Sequence, residues 1–174
     1  MDVPELVEFY AHCVVTNGVV TSTVGGHRLR FDVADLGETL GVPADGFAVY
    51  VRVDKTMLGE ERLLELTQRL AQDPTTTRPR SVRKGEMLPL HTLLFWFVIK
   101  NVIPRGQGRN LADPMDICPT DLLDRGEKIN LPVITIHHIT CTANTSKDHN
   151  MGYGFRLTSV FEQFRITLQN RVSL

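Results

Sequence analysis

His137, His138 and Cys141 are the side chains in this sequence best suited by type to hold a metal ion. Residues 137 and 141 lie one turn apart if the segment is helical, so an imidazole and a thiolate could share one face. A closed zinc site needs further ligands, and no second pair with metal spacing stands elsewhere in the chain. Asp113, Asp116, Asp121 and Asp124 could in principle gather a divalent cation. Their spacing suits a solvated face or helix caps better, and the Asp, Asn and Gly pattern of an EF-hand loop is missing. His12 and Cys13 are adjacent, so their side chains diverge on a helix and make a poor nucleophile pair. Arg105-Gly106-Gln107-Gly108-Arg109 lacks the Lys-Ser/Thr of a phosphate loop and follows no clear strand. Neither a Gly-x-Ser-x-Gly elbow nor an Asp-Thr/Ser-Gly protease motif is present. The reading is a protein that is not an enzyme and carries neither metal nor organic cofactor.

Charge offers a different chemistry. Residues 1–77 carry 12 acidic and 6 basic side chains, whereas residues 78–109 carry 7 basic and one acidic. Arg78, Arg80, Arg83, Lys84, Arg105 and Arg109 could therefore contact phosphates if the fold gathers them on one face. The competing explanation is a charged loop that stays in water, and the chain's pI of about 6.6 favours it over a dedicated nucleic-acid domain.

The elements that must position these groups can be read from spacing. Pro4 and Glu5 open a helix whose face is Leu6, Phe9, Tyr10 and Cys13, with Asp2 as its cap. The period then changes to two. Val14 to Phe31 contains Asn17-Gly18 and Gly25-Gly26 as turns and predicts a small antiparallel meander. Asp32 caps a second helix that ends at Gly41, and Phe47 to Val53 reads as a further strand. A helix over 60–72 precedes a polar loop, expected to be mobile, at about 73–86. Met87 to Val102 is apolar on nearly every side and predicts a central core helix built around Trp96. Residues 112–123 are ambiguous because Pro119 should break a helix, so a short one is expected to begin near Pro119. Residues 131–143 and 153–164 complete a helical core over 87–168.

A chain of 174 residues with 42% hydrophobic and 22% charged side chains is expected to fold as a single domain. The fold class expected is α+β, with a mostly α-helical core and a small antiparallel β-meander near the N-terminus. Three widely spaced cysteines (Cys13, Cys118 and Cys141) suit reduced thiols. The absence of a long apolar run and of a basic leader predicts an intracellular protein, nuclear or cytoplasmic, without a membrane partner.

Several ordered elements resemble one family. Glu8-Phe9-Tyr10-Ala11, Leu29-Arg30-Phe31-Asp32 and Leu40-Gly41-Val42-Pro43 are similar to the opening of the plant transposon protein domain, a retroelement-associated domain of unknown function. Lys100-Asn101-Val102-Ile103-Pro104-Arg105, Gly126-Glu127-Lys128-Ile129-Asn130-Leu131-Pro132 and Tyr153-Gly154 with Leu157-Thr158 and Phe161-Glu162 resemble its later elements. The chain departs from that family at 112–123, where Pro114 and Pro119 interrupt an otherwise apolar helix. The resemblance implies a structural or interaction domain of a plant transposon- or retrotransposon-derived protein and assigns no catalytic residue. A protein partner or self-association is then expected, with no small-molecule substrate. Nucleic-acid binding through residues 78–109 is the alternative.

Overall fold

A computed structural model describes residues 4–48, 59–104, 110–144 and 153–166. Helix α1 (Pro4–His12) leads into strands β1 (Val14–Thr16), β2 (Val19–Val24) and β3 (His27–Phe31), which form an antiparallel sheet in the order β1-β2-β3. Asn17 and Gly18 both take positive φ (52° and 76°), the geometry that joins two strands through a two-residue turn without opposing their twist. Along β2 the side chains alternate, and Val20, Ser22 and Val24 are buried. Ser22 survives burial because its hydroxyl donates to the Phe9 carbonyl at 2.8 Å.

Helix α2 (Val33–Leu40) starts where the sequence predicts. Asp32 Oδ1 accepts from the Ala34 and Asp35 amides at 2.9 and 3.0 Å, and Asp35 Oδ2 accepts from the Asp32 amide at 3.0 Å. This reciprocal cap satisfies donors that a helix start leaves open. With helices α6 (Leu131–Ala143) and α7 (Gly154–Gln163), these elements form one compact unit spanning residues 1–44 and 131–174. Its core joins Leu6, Phe9, Leu29, Phe31, Ile139 and Phe161.

Burial in this unit also perturbs weak acids. Desolvation raises the Cys13 thiol to about 11, and it pushes the Tyr10 and Tyr153 hydroxyls upward as well. Each is held neutral when folded, whereas a thiol in the unfolded chain ionises from about 9. The stabilisation is complete below that value and is lost as pH rises through about 11. The urea midpoint should therefore fall between about pH 8.5 and pH 10.5 with an unchanged slope. A flat midpoint over that interval would contradict the assignment.

The second unit runs from Asp45 to Asn130. It comprises α3 (Gly59–Ala71), β4 (Val82–Arg83), α4 (Pro89–Phe97), β5 (Leu111–Ala112) and α5 (Pro114–Asp124). β4 and β5 form a two-residue antiparallel ladder, and α5 packs against both α3 and α4. Its core includes Leu66, Leu70, Val82, Phe95, Ile99 and Ile117. The expected strand at 47–53 is represented by Phe47, which makes a parallel bridge with Ile129; residues 49–53 lie outside the described residues. Gly46, at φ +98°, permits that approach, since a Cβ there would stand 2.6 Å from the Lys128 carbonyl oxygen.

Two expectations are corrected in this unit, and a third gains detail. The helix expected to begin near Pro119 begins at Pro114 and continues through Pro119. Asp113 and Asp116 form a reciprocal cap at its start, and its buried face of Met115, Ile117, Cys118 and Leu122 offsets the one backbone bond that Pro119 cannot donate. The segment 73–86 is a loop that ends in β4 and a short 3-10 turn over Lys84–Glu86. Val82 is fully buried in the ladder, Gln68 Nε2 donates to the Thr76 carbonyl at 2.8 Å, and Arg80 pairs with Glu86. Finally, α4 is not surrounded by protein and Trp96 is not the centre of the core. Phe95 is fully buried, Trp96 is half-buried, and Leu90, Leu93 and Phe97 face outward.

Candidate interaction surface on helix α4

The face of α4 is set by its spacing. Leu90, Leu93 and Phe97 stand at i, i+3 and i+7, which places them on one side of a helix. His91, Phe95 and Val98 occupy the opposite side and are buried. The exposed three retain 54%, 66% and 50% of their accessible area. With roughly 200 Å² per large apolar side chain, about 300 Å² of apolar surface is left in water, a size at which a patch on a monomer is often functional. Beyond Phe97 the backbone widens into a π turn over Val98–Val102, in which the Ile103 amide donates to the Val98 carbonyl at 2.8 Å. Asn101 Nδ2 donates to the Phe97 carbonyl at 3.1 Å and helps to satisfy it across that irregularity.

A cationic border runs beside this stripe. Lys84 Nζ lies 4.6 Å from the Trp96 ring centroid, and Lys100 Nζ lies 5.9 Å from the same centroid. Both ammonium groups thus face the negative π-cloud of one indole. Next to them an open groove of about 600 Å³ is lined by Arg83, Lys84, Gly85, Thr92, Asn110 and Leu111. Thr92 immediately precedes Leu93, so the groove borders the apolar stripe.

Of the basic residues singled out by charge, one is paired with a carboxylate and two, Arg83 and Lys84, line the same groove. Arg80 forms a two-point contact with Glu86, at 3.1 and 2.8 Å, and that contact holds the Glu86 carboxyl below its ordinary range. Arg78 and Arg83 are exposed, Lys84 is at Trp96, and Arg105 and Arg109 lie outside the described residues.

The other candidates are placed as follows. His138 is buried and meets Tyr153 edge to face at 5.3 Å, while burial lowers the pKa of half-buried His137. Cys141 is half-buried and not part of a disulfide. Among the described residues no group of three or more His, Cys, Asp or Glu side chains is arranged to hold a metal ion. The four aspartates of α5 are not a solvated face. Asp113 and Asp116 cap the helix, and Asp116 and Asp121 are buried. Asp121 accepts from Arg69 at 2.8 Å and from Arg125 at 2.9 Å, with Arg62 at 3.7 Å. Asp124 pairs with Arg69 and lies 3.4 Å from His91 Nε2.

Sequence reasoning missed the α4 surface because a helix apolar on every side gives no contrast by which to choose its buried face. The available signal was the pair of lysines at 84 and 100, which bracket the apolar run in sequence. No helix among the described residues is long and apolar enough to cross a membrane. Compared with known proteins, the chain matches no family model, no curated protein and no solved structure.

Proposed function

We propose that this chain is a non-catalytic interaction domain that engages a protein partner through the outer face of α4. The observation that carries the reading is the exposure of Leu90, Leu93 and Phe97 on a helix whose other side is a well-filled core. Burying a large apolar side chain is worth about 1.5–3 kcal/mol, so three in register offer a partner a substantial driving force. The plant transposon association rests on the ordered sequence elements alone and agrees with an intracellular structural role. A library of displayed helical peptides tests the reading. The wild-type chain should enrich binders that the Leu93→Asp/Phe97→Asp variant, folded by circular dichroism, does not retain. Equal enrichment by both proteins would refute it.

Nucleic-acid binding is the second reading, favoured by the convergence of Lys84 and Lys100 on Trp96. Cations beside an aromatic ring can hold a single strand by stacking and phosphate contact. The pairing of Arg80 with Glu86 weakens it by withdrawing one of the six proposed phosphate ligands. Retention of the chain on single- or double-stranded nucleic acid, steeply reduced by salt, would support this reading.

A further inference from the structure

We propose, resting on the interaction reading above, that the partner of the α4 face is an acidic amphipathic helix. The argument begins with the charge around the stripe. Between residues 82 and 101 the chain carries Arg83, Lys84 and Lys100 against one carboxylate, Glu86. Arg80 already holds that carboxylate at 2.8 Å. The border of the apolar stripe is therefore positive, and a ligand with negative flanks meets it favourably.

The shape of the apolar surface selects a helix. Leu90, Leu93 and Phe97 form a ridge along about two turns, and a ridge at this spacing packs into the groove between side-chain rows of a second helix. The neighbouring open groove presents Leu111 and Thr92 beside Arg83 and Lys84. A large apolar side chain of the partner can enter there while an adjacent carboxylate reaches a cation. Two to three residues on the partner thus find both an apolar and a charged complement.

Other occupants fit less well. A second copy would bring two positive borders together, and about 300 Å² of stripe per protomer is well short of the roughly 800 Å² that a stable partner contributes. Nucleic acid would use the cations but leave three large apolar side chains beside a phosphate backbone.

The test uses the full chain and a fluorescent synthetic helix with leucines at i, i+3, i+4 and i+7 and glutamates on both flanks. Its controls are the same helix with lysines in place of the glutamates, a scrambled acidic peptide, a short single-stranded DNA and vesicles of anionic lipid. Fluorescence anisotropy should show the acidic helix binding at least about tenfold tighter than the lysine version, and weakening as salt rises from about 50 to 500 mM. Lys100→Glu and Lys84→Glu, each checked for folding, should weaken the acidic helix about tenfold and narrow the gap to the lysine helix. Equal binding of the lysine helix would overturn the inference while leaving the α4 face as an interaction surface. Equal binding of the scrambled peptide would overturn it as well. Tighter binding of DNA or vesicles, or a dimer in sedimentation that Leu93→Asp dissolves, would overturn it in favour of that occupant. Failure of every helix, together with peptide enrichment indifferent to Leu93→Asp/Phe97→Asp, would overturn the interaction reading itself.

Discussion

Truncating Phe95 to alanine is expected to cost about 3–5 kcal/mol, and truncating its neighbour Trp96 only about 1–3 kcal/mol. The larger side chain thus gives the smaller loss. Phe95 is fully buried among Leu66, Ile99 and Ile117, where removing a ring leaves a cavity the packed surroundings cannot close. Trp96 is half-buried, with the ammonium groups of Lys84 and Lys100 over its ring. Its loss forfeits partial burial and two cation–π contacts without opening the core. Urea denaturation of both variants decides the matter. A Trp96→Ala cost equal to or above that of Phe95→Ala would restore Trp96 as the centre of the core. The same pair bears on function, since Trp96 shapes the cationic border and Phe95 only supports the helix.

Where local chemistry chose the structure, the residues announced it. The meander follows from Asn17-Gly18 and Gly25-Gly26, whose backbone preferences require tight turns, and from the alternation of β2. Helix α2 follows from Asp32 at one end and Gly41, at φ +64°, at the other. Long-range packing was less legible. Pro119 argued for a break, but the cost of one missing backbone bond is small beside the burial of Met115, Ile117, Cys118 and Leu122. The orientation of α4 was hidden for a different reason. Leu90, Leu93, Phe95 and Phe97 are all apolar, and tertiary packing, against α5 among others, decides which of them face inward. The candidate site was therefore visible in composition but not in position. The basic segment shows the opposite failure. Arg80 looked available because Glu86 lies six residues away, and no helical or strand period brings such a pair together.

Replacing Asp121 with asparagine is expected to destabilise the protein by about 2–4 kcal/mol. The carboxylate is 1% exposed and stands among Arg62, Arg69 and Arg125, so it ties α3 to α5 from within. Removing one partner of a fully buried ion pair costs about 3–5 kcal/mol, because the remaining charge is left without compensation. Here the guanidinium groups are each about a third exposed and can recover some hydration, which reduces the expected loss. Asparagine keeps the shape and one acceptor, so the measured change reports charge more than volume. A thermodynamic cycle separates the pair from its surroundings. Arg69→Met should cost less in an Asp121→Leu background than alone, since the attraction between Arg69 and Asp121 is already absent there. Arg69 also reaches Asp124, which lies beside His91 on the buried side of α4. The network thereby connects α3, α5 and α4, and its loss should loosen the helix that presents Leu90, Leu93 and Phe97. Hydrogen exchange across residues 89–102 should rise in Asp121→Asn beyond the increase expected from global destabilisation alone. If Asp121→Asn lies within about 0.5 kcal/mol of wild type, the ion pairs merely offset their own desolvation. The apolar contacts of Phe95 and Ile99 would then hold α4 in place by themselves.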